Sequence, residues 1–449
     1  MKQYTVNHVK NASLAAFGQS RLHRKAWEII EEHVHIAQKT VSHRPIDKLL
    51  DTYIHIMSGG KGMVEVNTGL RSQPGLQRAF GRDGCAEQST LSQTLNACTP
   101  QNVKEMRQAL SMIYRQQSQT CRHDYQREPL LLDVDLTGMP AGRQGEGVTK
   151  GFFSERKHRR GRQMGRVLAT NQDEIVVEQL YAGNVQLEKS MQGLLRAAEE
   201  VLQLDAEQRR RTIVRLDGGA GDDKDVNWLL ERGYGLIAKV KNWQRSRKLA
   251  KTVEVWYPDP KEPSREVGWV GQPHEYVSPT RQLAIRSKDD QGQWRYRVLV
   301  FNLDDHTLLW LAKQSQHQAA MWLAMQAYDL RGGGVETSNR NSKSGLGISH
   351  RNKRKFAAQE MLMLLAELAY NLLSWFRLSL SRKNTRFARY GMLRLVRDVL
   401  GINGKVHFDR DGNLRMITLN RDHCLAKSFS IAFADLHEPN DWRLILRKI

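Results

Sequence analysis

The sequence predicts an α/β protein with a mixed β-sheet flanked by helices, an α-helical N-terminal domain and a β-rich insertion. Three observations support this class. Residues before about 128 carry apolar residues at helical spacing and no convincing series of strands. From Pro129 onward, short β-branched runs alternate with amphipathic helical segments. Within that region, residues 242–310 change to segments in which apolar and polar residues alternate.

The first 128 residues form the predicted N-terminal domain. Helices are expected over 24–38 and 100–117, the second beginning with a Thr99-Pro100 pair that is typical of a helix start. A shorter helix over 85–95 is rich in hydroxyl and amide side chains. Two such helices in succession resemble a helix-turn-helix, which binds bases and phosphates through those groups. A plain helical bundle explains the pattern equally well, so both remain open.

The segments after residue 128 follow the order β-β-β-α-β-α-β, and acidic residues stand at the ends of the first and fourth strands. The strands are predicted over residues 130–135, 164–170, 174–181, 212–217 and 235–241, and the helices over 185–204 and 223–232. This order of elements, with acids at those positions, indicates a ribonuclease H-like fold. We therefore predict a catalytic domain over 129–241 and 311–376.

A long stretch separates the two parts of that domain. Residues 242–310 are predicted to form an inserted subdomain, because so long a connection without structure of its own is rare in compact domains. The remaining C-terminal region, 377–449, is predicted to hold a helix and a β-hairpin. The expected strands of the insertion are 253–257, 265–270, 282–287 and 294–302, and those of the hairpin are 405–408 and 415–419.

The charge of the chain narrows the choice of partner. Its formal net charge is +21 over 449 residues, which favours nucleic acid or an anionic membrane surface. The longest apolar stretch, residues 361–376, contains Glu367, Asn371 and Ser374 and is therefore predicted to be a buried helix. The N-terminus lacks the apolar segment of a signal peptide. We expect nucleic acid as the partner, no membrane association and a cytoplasmic location.

Three segments place carboxylates where a phosphodiester-cutting site needs them. Asp133 and Asp135 lie two apart on a predicted strand and so share one face. Asp217 ends a β-branched strand just before two glycines, and Glu336 begins a helix. Carboxylates are the hard ligands that Mg²⁺ prefers, and paired Mg²⁺ ions promote in-line displacement at phosphodiesters. A solvated edge strand and a turn or helix cap are the structural alternatives for the aspartates.

Basic residues accompany the predicted glutamate helix. Tyr328 and Arg331 precede a glycine triplet, which lets a helix begin close to a phosphate. Glu336, Arg340 and Lys343 follow at spacings that stack side chains along one helix face. These cations and the tyrosine are therefore predicted to contact DNA, with a solvated salt-bridged face as the alternative.

A basic run follows the first predicted strand and is expected to form a loop that contacts phosphate. A merely solvated loop is the alternative. Its predicted DNA-binding residues are Arg156, Lys157, Arg159, Arg160 and Arg162. Residues 351–355 are a second basic candidate of the same kind.

The residues Tyr328, Arg331, Glu336 and Lys343 together resemble the tyrosine–arginine–glutamate–lysine signature of bacterial insertion-sequence DDE transposases. Four residues separate the arginine from the glutamate here, where the family has three. The resemblance extends over about 129–376 and includes the β-rich insertion before the glutamate.

The two aspartate strands complete the resemblance. Asp135, two residues before Thr137, resembles the family's first aspartate, and Asp217, two residues after Arg215, resembles its second. The resemblance implies that Asp135, Asp217 and Glu336 hold two Mg²⁺ ions, for which Mn²⁺ would substitute. Asp133 is the alternative first ligand.

The resemblance also implies a function. It indicates a DDE transposase that binds double-stranded DNA, namely the inverted-repeat ends of a transposon and a target, and that cleaves and transfers DNA strands. It implies a homodimer in the synaptic complex and a place in the bacterial cytosol or nucleoid. Two alternatives are a ribonuclease H-like nuclease without strand transfer and a catalytically inactive, domesticated DNA-binding protein.

Overall fold

The computed structural model describes residues 5–39, 42–151, 153, 159–314, 319–436 and 442–449. Up to residue 117 they contain β1 (Thr5–Val9), α1 (Ala12–Gly18), α2 (Arg21–His33), α3 (Pro45–Met57), α4 (Glu65–Thr68), α5 (Pro74–Ala79), α6 (Gln88–Ala97) and α7 (Pro100–Gln117).

The middle of the chain contains most of the strands. In chain order the elements are β2 (Leu130–Pro140), β3 (Thr149–Lys150), β4 (Arg160–Ala169), β5 (Glu174–Ala182), α8 (Leu187–Leu202), α9 (Ala206–Arg210), β6 (Thr212–Leu216), α10 (Asp223–Glu231), β7 (Gly235–Lys239), α11 (Trp243–Ala250), β8 (Tyr257–Pro258), β9 (Arg265–Trp269), β10 (Arg281–Lys288) and β11 (Trp294–Phe301).

The last part of the chain is largely helical and ends in strands. Its elements are α12 (Asp305–Leu311), α13 (Ala320–Asp329), α14 (Val335–Arg340), α15 (Phe356–Lys383), α16 (Met392–Arg394), β12 (Gly404–Phe408), β13 (Leu414–Asn420), α17 (Ala426–Phe433) and β14 (Arg443–Arg447).

The chain folds into two compact units, each built from separated segments. The helical unit comprises Met1–Ser118, Pro140–Val148 and Asn339–Ile449, and the sheet unit comprises Gln119–Met139 and Thr149–Ser338. This grouping differs from the predicted domain bounds. The two ends of the chain, predicted as separate regions over 1–128 and 377–449, contribute to one unit.

The helical unit is organised around α15. Nearly every residue from Ala358 to Phe376 is buried, and the helix packs against α3, α6, α7 and α17. The helix is long and apolar enough to cross a membrane, but 89% of its most apolar window is buried inside the protein. The apolar stretch over 361–376 is therefore a core helix, as its interruption by polar residues predicts.

A four-stranded sheet completes the helical unit, in the order β1-β12-β13-β14. The predicted C-terminal hairpin is present as β12 and β13, and β14 runs parallel to β13. The first strand comes from the other end of the chain, since β1 pairs antiparallel with β12 from Thr5↔Phe408 to Val9↔Gly404. Both ends of the sequence are thereby fixed in one sheet.

The sheet unit contains a mixed sheet in the order β3-β4-β2-β6-β7-β11-β10-β9-β8, with β5 paired to β4. The strands β2, β6 and β7 are parallel, whereas β4 and β5 are antiparallel. All five residues of β6 are buried, as expected for a central parallel strand covered on both faces. The helices α8 and α10 lie in the connections that lead into β6 and β7.

The strands of the predicted insertion continue this same sheet. β11 pairs antiparallel with β7, and β10 and β9 follow on its far side. Leu283, Leu299 and Phe301 lie in one apolar cluster with Ile213 and Ile237 of the parallel strands. Residues 242–310 therefore extend the main sheet, instead of forming the separate subdomain that the sequence predicts. The pairing of β7 with β11 makes this one sheet, and the sequence pattern contains no sign that these two strands pair.

Candidate active site

Three acidic side chains from three separate elements come together at one end of the parallel strands. β2 and β6 pair through Asp133↔Arg215 and Val134↔Leu216, so Asp135 is level with Asp217, the residue that follows β6. Glu336 lies in the first turn of α14. Asp217 and Glu336 both act electrostatically on Asp135. The structure thus brings together the acids that the sequence selected.

Arg331 lies between two of these acids. Its guanidinium donates from Nη2 to Asp135 Oδ1 at 3.0 Å and from Nη1 to Glu336 Oε1 at 3.2 Å. Nη2 also donates to the carbonyl of Val134 at 3.1 Å, and Nε is buried without a partner within the described chain. Arg331 is 4% exposed. The residue predicted to meet phosphate is therefore inside the acidic site, where its positive charge offsets part of the negative charge of the acids.

The electrostatics of the site favour an additional positive charge. Burial raises the pKa of Asp135 to about 6; Arg331 opposes this rise, and the charges of Asp217 and Glu336 add to it. Burial also raises the pKa of Tyr328, at the end of α13, to about 12, so its hydroxyl remains protonated at neutral pH. Of the three carboxylates, Asp135 and Glu336 pair with the one guanidinium of Arg331.

Asp133 has a structural role. It is fully buried and accepts hydrogen bonds from Arg215 Nε at 2.6 Å, from Arg215 Nη2 at 2.8 Å and from Thr170 Oγ1 at 2.7 Å. Arg215 in turn donates to the carbonyl of Ala327, which ties β6 to α13. Both oxygens of Asp133 are thereby engaged. Of the two alternatives for the first ligand, the structure favours Asp135.

Gly334 explains why the segment before Glu336 is rich in glycine. A Cβ on this residue would lie 2.3 Å from Asp133 Oδ2 and 2.9 Å from Thr170 Cγ2. Gly333, next to it, has nothing within 4 Å of the same position. The backbone that leads into α14 therefore passes directly over the buried Asp133–Arg215 pair. This close approach requires glycine at position 334 but not at position 333.

We expect Gly334→Ala to lower the free energy of unfolding by about 1–3 kcal/mol, because the new methyl group must displace the buried ion pair. Gly333→Ala is the matched control and should unfold like the wild type. Thermal unfolding of both variants measures the difference. Equal melting temperatures for the two variants would show that the close approach at Gly334 is not needed.

The basic run after β2 is only partly described. Arg156 and Lys157 lie outside the described residues. Arg159 is exposed and Arg160 begins β4, so both remain able to meet a phosphate. Arg162 is 1% exposed within β4, and the prediction that it contacts DNA from a loop is therefore wrong. Strand formation buries this arginine, where the density of charge predicted a loop that contacts phosphate.

Arg340 and Lys343 differ in their local structure. Arg340 is the exposed last residue of α14, whereas Lys343 lies in a π-helical turn over Asn341–Gly345. The wider turn changes the angle between successive residues. The α-helical spacing that predicts Glu336 and Lys343 on one face therefore does not hold through Lys343.

Two cations near the acids escaped the sequence analysis. Lys239 ends β7 and interacts electrostatically with Asp217 and Glu336, and Arg297 on β11 acts on both Lys239 and Tyr328. The lysine follows a buried Leu-Ile-Ala run on the strand next to β6. A lysine at the end of a parallel strand, next to the strand that carries Asp217, was the sequence signal that could have predicted its place near the acids.

The acidic site is not preformed around a metal. In the part of the chain that the structure describes, no three His, Cys, Asp or Glu side chains lie close enough together to hold an ion. The guanidinium of Arg331 lies between Asp135 and Glu336 and pairs with both of them. The carboxylate oxygens themselves are the donors that hard divalent cations prefer.

The chain belongs to the DDE transposases: residues 16–439 match the family described as Transposase DDE domain group 1. No curated protein sequence matches the chain. Among solved structures, the chain is similar to one reported as the cryo-EM structure of piggyBac transposase synaptic complex with hairpin DNA. That match has 11% identity and a TM-score of 0.47, and it covers 88% of this chain and 82% of the other.

Proposed function

We propose that this protein is a DNA transposase that binds the inverted-repeat ends of its element, cleaves them in a Mg²⁺-dependent reaction and joins them to target DNA. The observation that carries the proposal is the convergence of Asp135, Asp217 and Glu336 at one end of the sheet. Membership of the DDE transposases and the net charge of +21 support it.

The proposal includes a ribonuclease H-like arrangement of the catalytic sheet. It is supported by the order β5-β4-β2-β6-β7, in which β4 and β5 are antiparallel and β2, β6 and β7 are parallel. We also assign the protein to the bacterial insertion-sequence group with a tyrosine–arginine–glutamate–lysine signature. Tyr328, Arg331, Glu336 and Lys343 supply that signature here.

The three acids fit a divalent metal site by their chemistry. Asp135, Asp217 and Glu336 would hold the ions, with Mn²⁺ as a substitute for Mg²⁺. Divalent metal held there would provide the Lewis acidity that activates a water, or the 3′-hydroxyl of the cut DNA strand, and that stabilises the leaving oxygen. Burial raises the pKa of Asp135, and the charges of Asp217 and Glu336 add to that rise, so a cation bound there would favour the ionised carboxylate.

The side chains around the acids have separate roles in the proposal. Arg331 holds Asp135 and Glu336 together through one oxygen of each, and in this proposal it gives up at least one of these contacts when the acids ligate an ion. Once released, its guanidinium is available to a phosphate oxygen. Tyr328, which stays protonated, donates a hydrogen bond that positions the DNA strand.

The other basic residues bind DNA away from the reacting phosphate in this proposal. Arg159, Arg160, Arg340 and Lys343 contact the phosphate backbone, as do Arg156 and Lys157, which lie outside the described residues. Two copies of the chain pair the two transposon ends, and the protein works in the bacterial cytosol or nucleoid. The high net charge supports a backbone-binding surface of this extent.

Cleavage of the element's own ends tests the proposal. With Mg²⁺ and a duplex carrying the terminal inverted repeat, Asp217→Asn and Glu336→Gln should lose strand cleavage by a factor of about 10³, because each removes a carboxylate that would hold the divalent ions, and those ions would stabilise the charge of the transition state. Asp290→Asn, at an exposed hairpin position, is the matched control and should cleave like the wild type. Single-turnover rates measure the difference.

The same assay separates the alternatives. Wild-type rates from Asp217→Asn or Glu336→Gln would contradict the proposed site. Supplying pre-cut 3′-hydroxyl ends with a target plasmid distinguishes a transposase, which joins them, from a nuclease, which only degrades. Tight binding of the ends with no metal-dependent nicking would identify a domesticated DNA-binding protein.

A further inference from the structure

The register of the sheet places Lys239 level with two of the acids. β6 and β7 pair through Arg215↔Ile237 and Leu216↔Ala238, so Lys239 is level with Asp217. β7 and β11 pair through Lys239↔Leu299. Since alternate residues of a strand share a face, Asp135, Asp217 and Lys239 lie side by side on one face of three neighbouring strands.

The stem of Lys239 lies over the turn that follows Asp217. A Cβ on Gly218 would be 2.6 Å from Lys239 Cε and 3.5 Å from its Nζ. The absence of a side chain at Gly218 therefore leaves the space in which the lysine passes. Burial lowers the pKa of Lys239, and the charge of Asp217 opposes that change. The ammonium group is directed to the acidic end of the sheet.

Arg297 continues this row on the next strand. It lies two residues before Leu299 on β11, so it shares the face of Lys239. Such diagonal neighbours on paired strands are roughly 7–8 Å apart. Arg297 is exposed, and it interacts electrostatically with Lys239 and Tyr328.

These two cations differ from their neighbours in their pairing. Within the described residues, neither Lys239 nor Arg297 has a hydrogen bond or an ion pair from its side chain. Lys241, the next residue on that face of the chain, pairs with Glu188. The other arginines of β9, β10 and β11 are also paired, as Arg265–Asp259, Arg281–Asp305, Arg286–Glu266 and Arg295–Asp289.

We propose that Lys239 and Arg297 form a phosphate track, which carries the backbone of the DNA strand from the acidic site across β7 and onto β11. The inference rests on the proposed function, because it assigns the DNA of that function to a particular face of the sheet. The inserted strands then have a role in catalysis, since they extend the surface on which the cut strand is held.

The salt dependence of DNA binding tests the track. In EDTA, with a duplex that carries the terminal inverted repeat, Lys239→Met and Arg297→Gln should each flatten the slope of log affinity against log salt by about 0.9. Lys239→Arg keeps the positive charge and should therefore have the wild-type slope. Lys288→Met is the matched control, because it removes a cation from the opposite face of β10 and should leave the slope unchanged.

Neutral phosphates locate the contact on the DNA. Replacing single phosphates near the cut site with methylphosphonates should weaken binding by the wild type at a few adjacent positions of one strand. Lys239→Met should become insensitive to one of these positions, nearest the cut, and Arg297→Gln to another farther from it. Lys288→Met should keep the wild-type pattern.

The outcomes separate the track from the function on which it rests. A wild type that binds the ends but cuts none of them with Mg²⁺ or Mn²⁺ contradicts the proposed function. A wild type that cuts, together with unchanged slopes and unchanged phosphate sensitivity in both variants, overturns the track alone. Thermal unfolding of each variant is measured in parallel. If Lys239→Met has a lower melting temperature than the wild type, the salt slope and phosphate sensitivity of Arg297→Gln test the track.

Discussion

Asp133→Asn should lower the free energy of unfolding by about 3–5 kcal/mol, because it leaves the guanidinium of Arg215 charged and buried without a counterion. Both side chains are at most 1% exposed, and the two arginine nitrogens lie 2.6 and 2.8 Å from the carboxylate oxygens. An asparagine keeps the shape but not the charge. Urea unfolding followed by tryptophan fluorescence measures the loss.

Two further variants define the cause of that loss. Asp133→Leu combined with Arg215→Met should recover most of the stability, because removing both charges leaves no uncompensated ion. Thr170→Val removes one hydrogen bond to the carboxylate and should cost about 1.5–3 kcal/mol. Wild-type stability for Asp133→Asn would contradict a structural role for the pair.

The same variant distinguishes the two possible first ligands. If Asp135 is the ligand, Asp133→Asn should keep the rise in melting temperature that Mg²⁺ gives the wild type, although both temperatures are lower. If that rise disappears while the stability in EDTA is normal, Asp133 is the ligand. The structure predicts the first result, because both oxygens of Asp133 are already used by Arg215 and Thr170.

The three acids could be predicted from the sequence because their signals are local. A carboxylate at the end of an apolar, β-branched strand, followed by glycines, is recognisable within a few residues, as at Asp217. The parallel register that brings Asp135 level with it follows from two strands that were both predicted. The prediction of Glu336 depended on the glycine triplet before it and on the basic residues after it.

The cations required information that the sequence does not display. Lys239 and Arg297 share a face only because β7 pairs with β11, and the sequence analysis assigned these strands to different domains. Arg166 illustrates another limit, because the sequence predicts a strand over 164–170 but does not show what this charged residue contacts. In the structure it is buried and bonded to Glu178 and Ser338. Ser338 is distant in sequence, so no local pattern shows this contact.

The pairing of the chain ends was also outside the reach of local patterns. β1 has only five residues, and its partner β12 lies near the other end of the sequence. A short strand at the edge of a sheet has weak alternation, because only one of its residues, Val9, is buried. The grouping of both ends in one unit is therefore visible only in the structure.

Asp135→Asn should abolish cleavage and at the same time make the metal-free protein more stable at neutral pH. This sign is opposite to that expected for Asp133→Asn, two residues earlier on the same strand. Asp133 has a buried counterion to itself, whereas Asp135 shares Arg331 with Glu336 and also faces Asp217. Stability and cleavage should therefore change in opposite directions in this variant.

The pKa of Asp135 gives the pH range of the effect. An aspartate ionises at about 3.9 in an unfolded chain, and at about 6 in the folded protein. Between these values the folded state binds more protons, so the stability of the wild type falls as the pH rises from about 4 to 6. The total is roughly 2–3 kcal/mol, at 1.36 kcal/mol per pH unit. Asparagine resembles the protonated form and avoids this loss.

Melting temperatures of the two proteins in EDTA should therefore agree at pH 4 and separate above pH 6, with Asp135→Asn the higher. Mg²⁺ should raise the melting temperature of the wild type, because binding to the folded state adds stability, and should have little effect on the variant. Cleavage of the terminal repeat by Asp135→Asn should be undetectable. A variant that melts below the wild type at pH 7.5 in EDTA would show that Arg331 already compensates the three acids, and the site would then need no further cation.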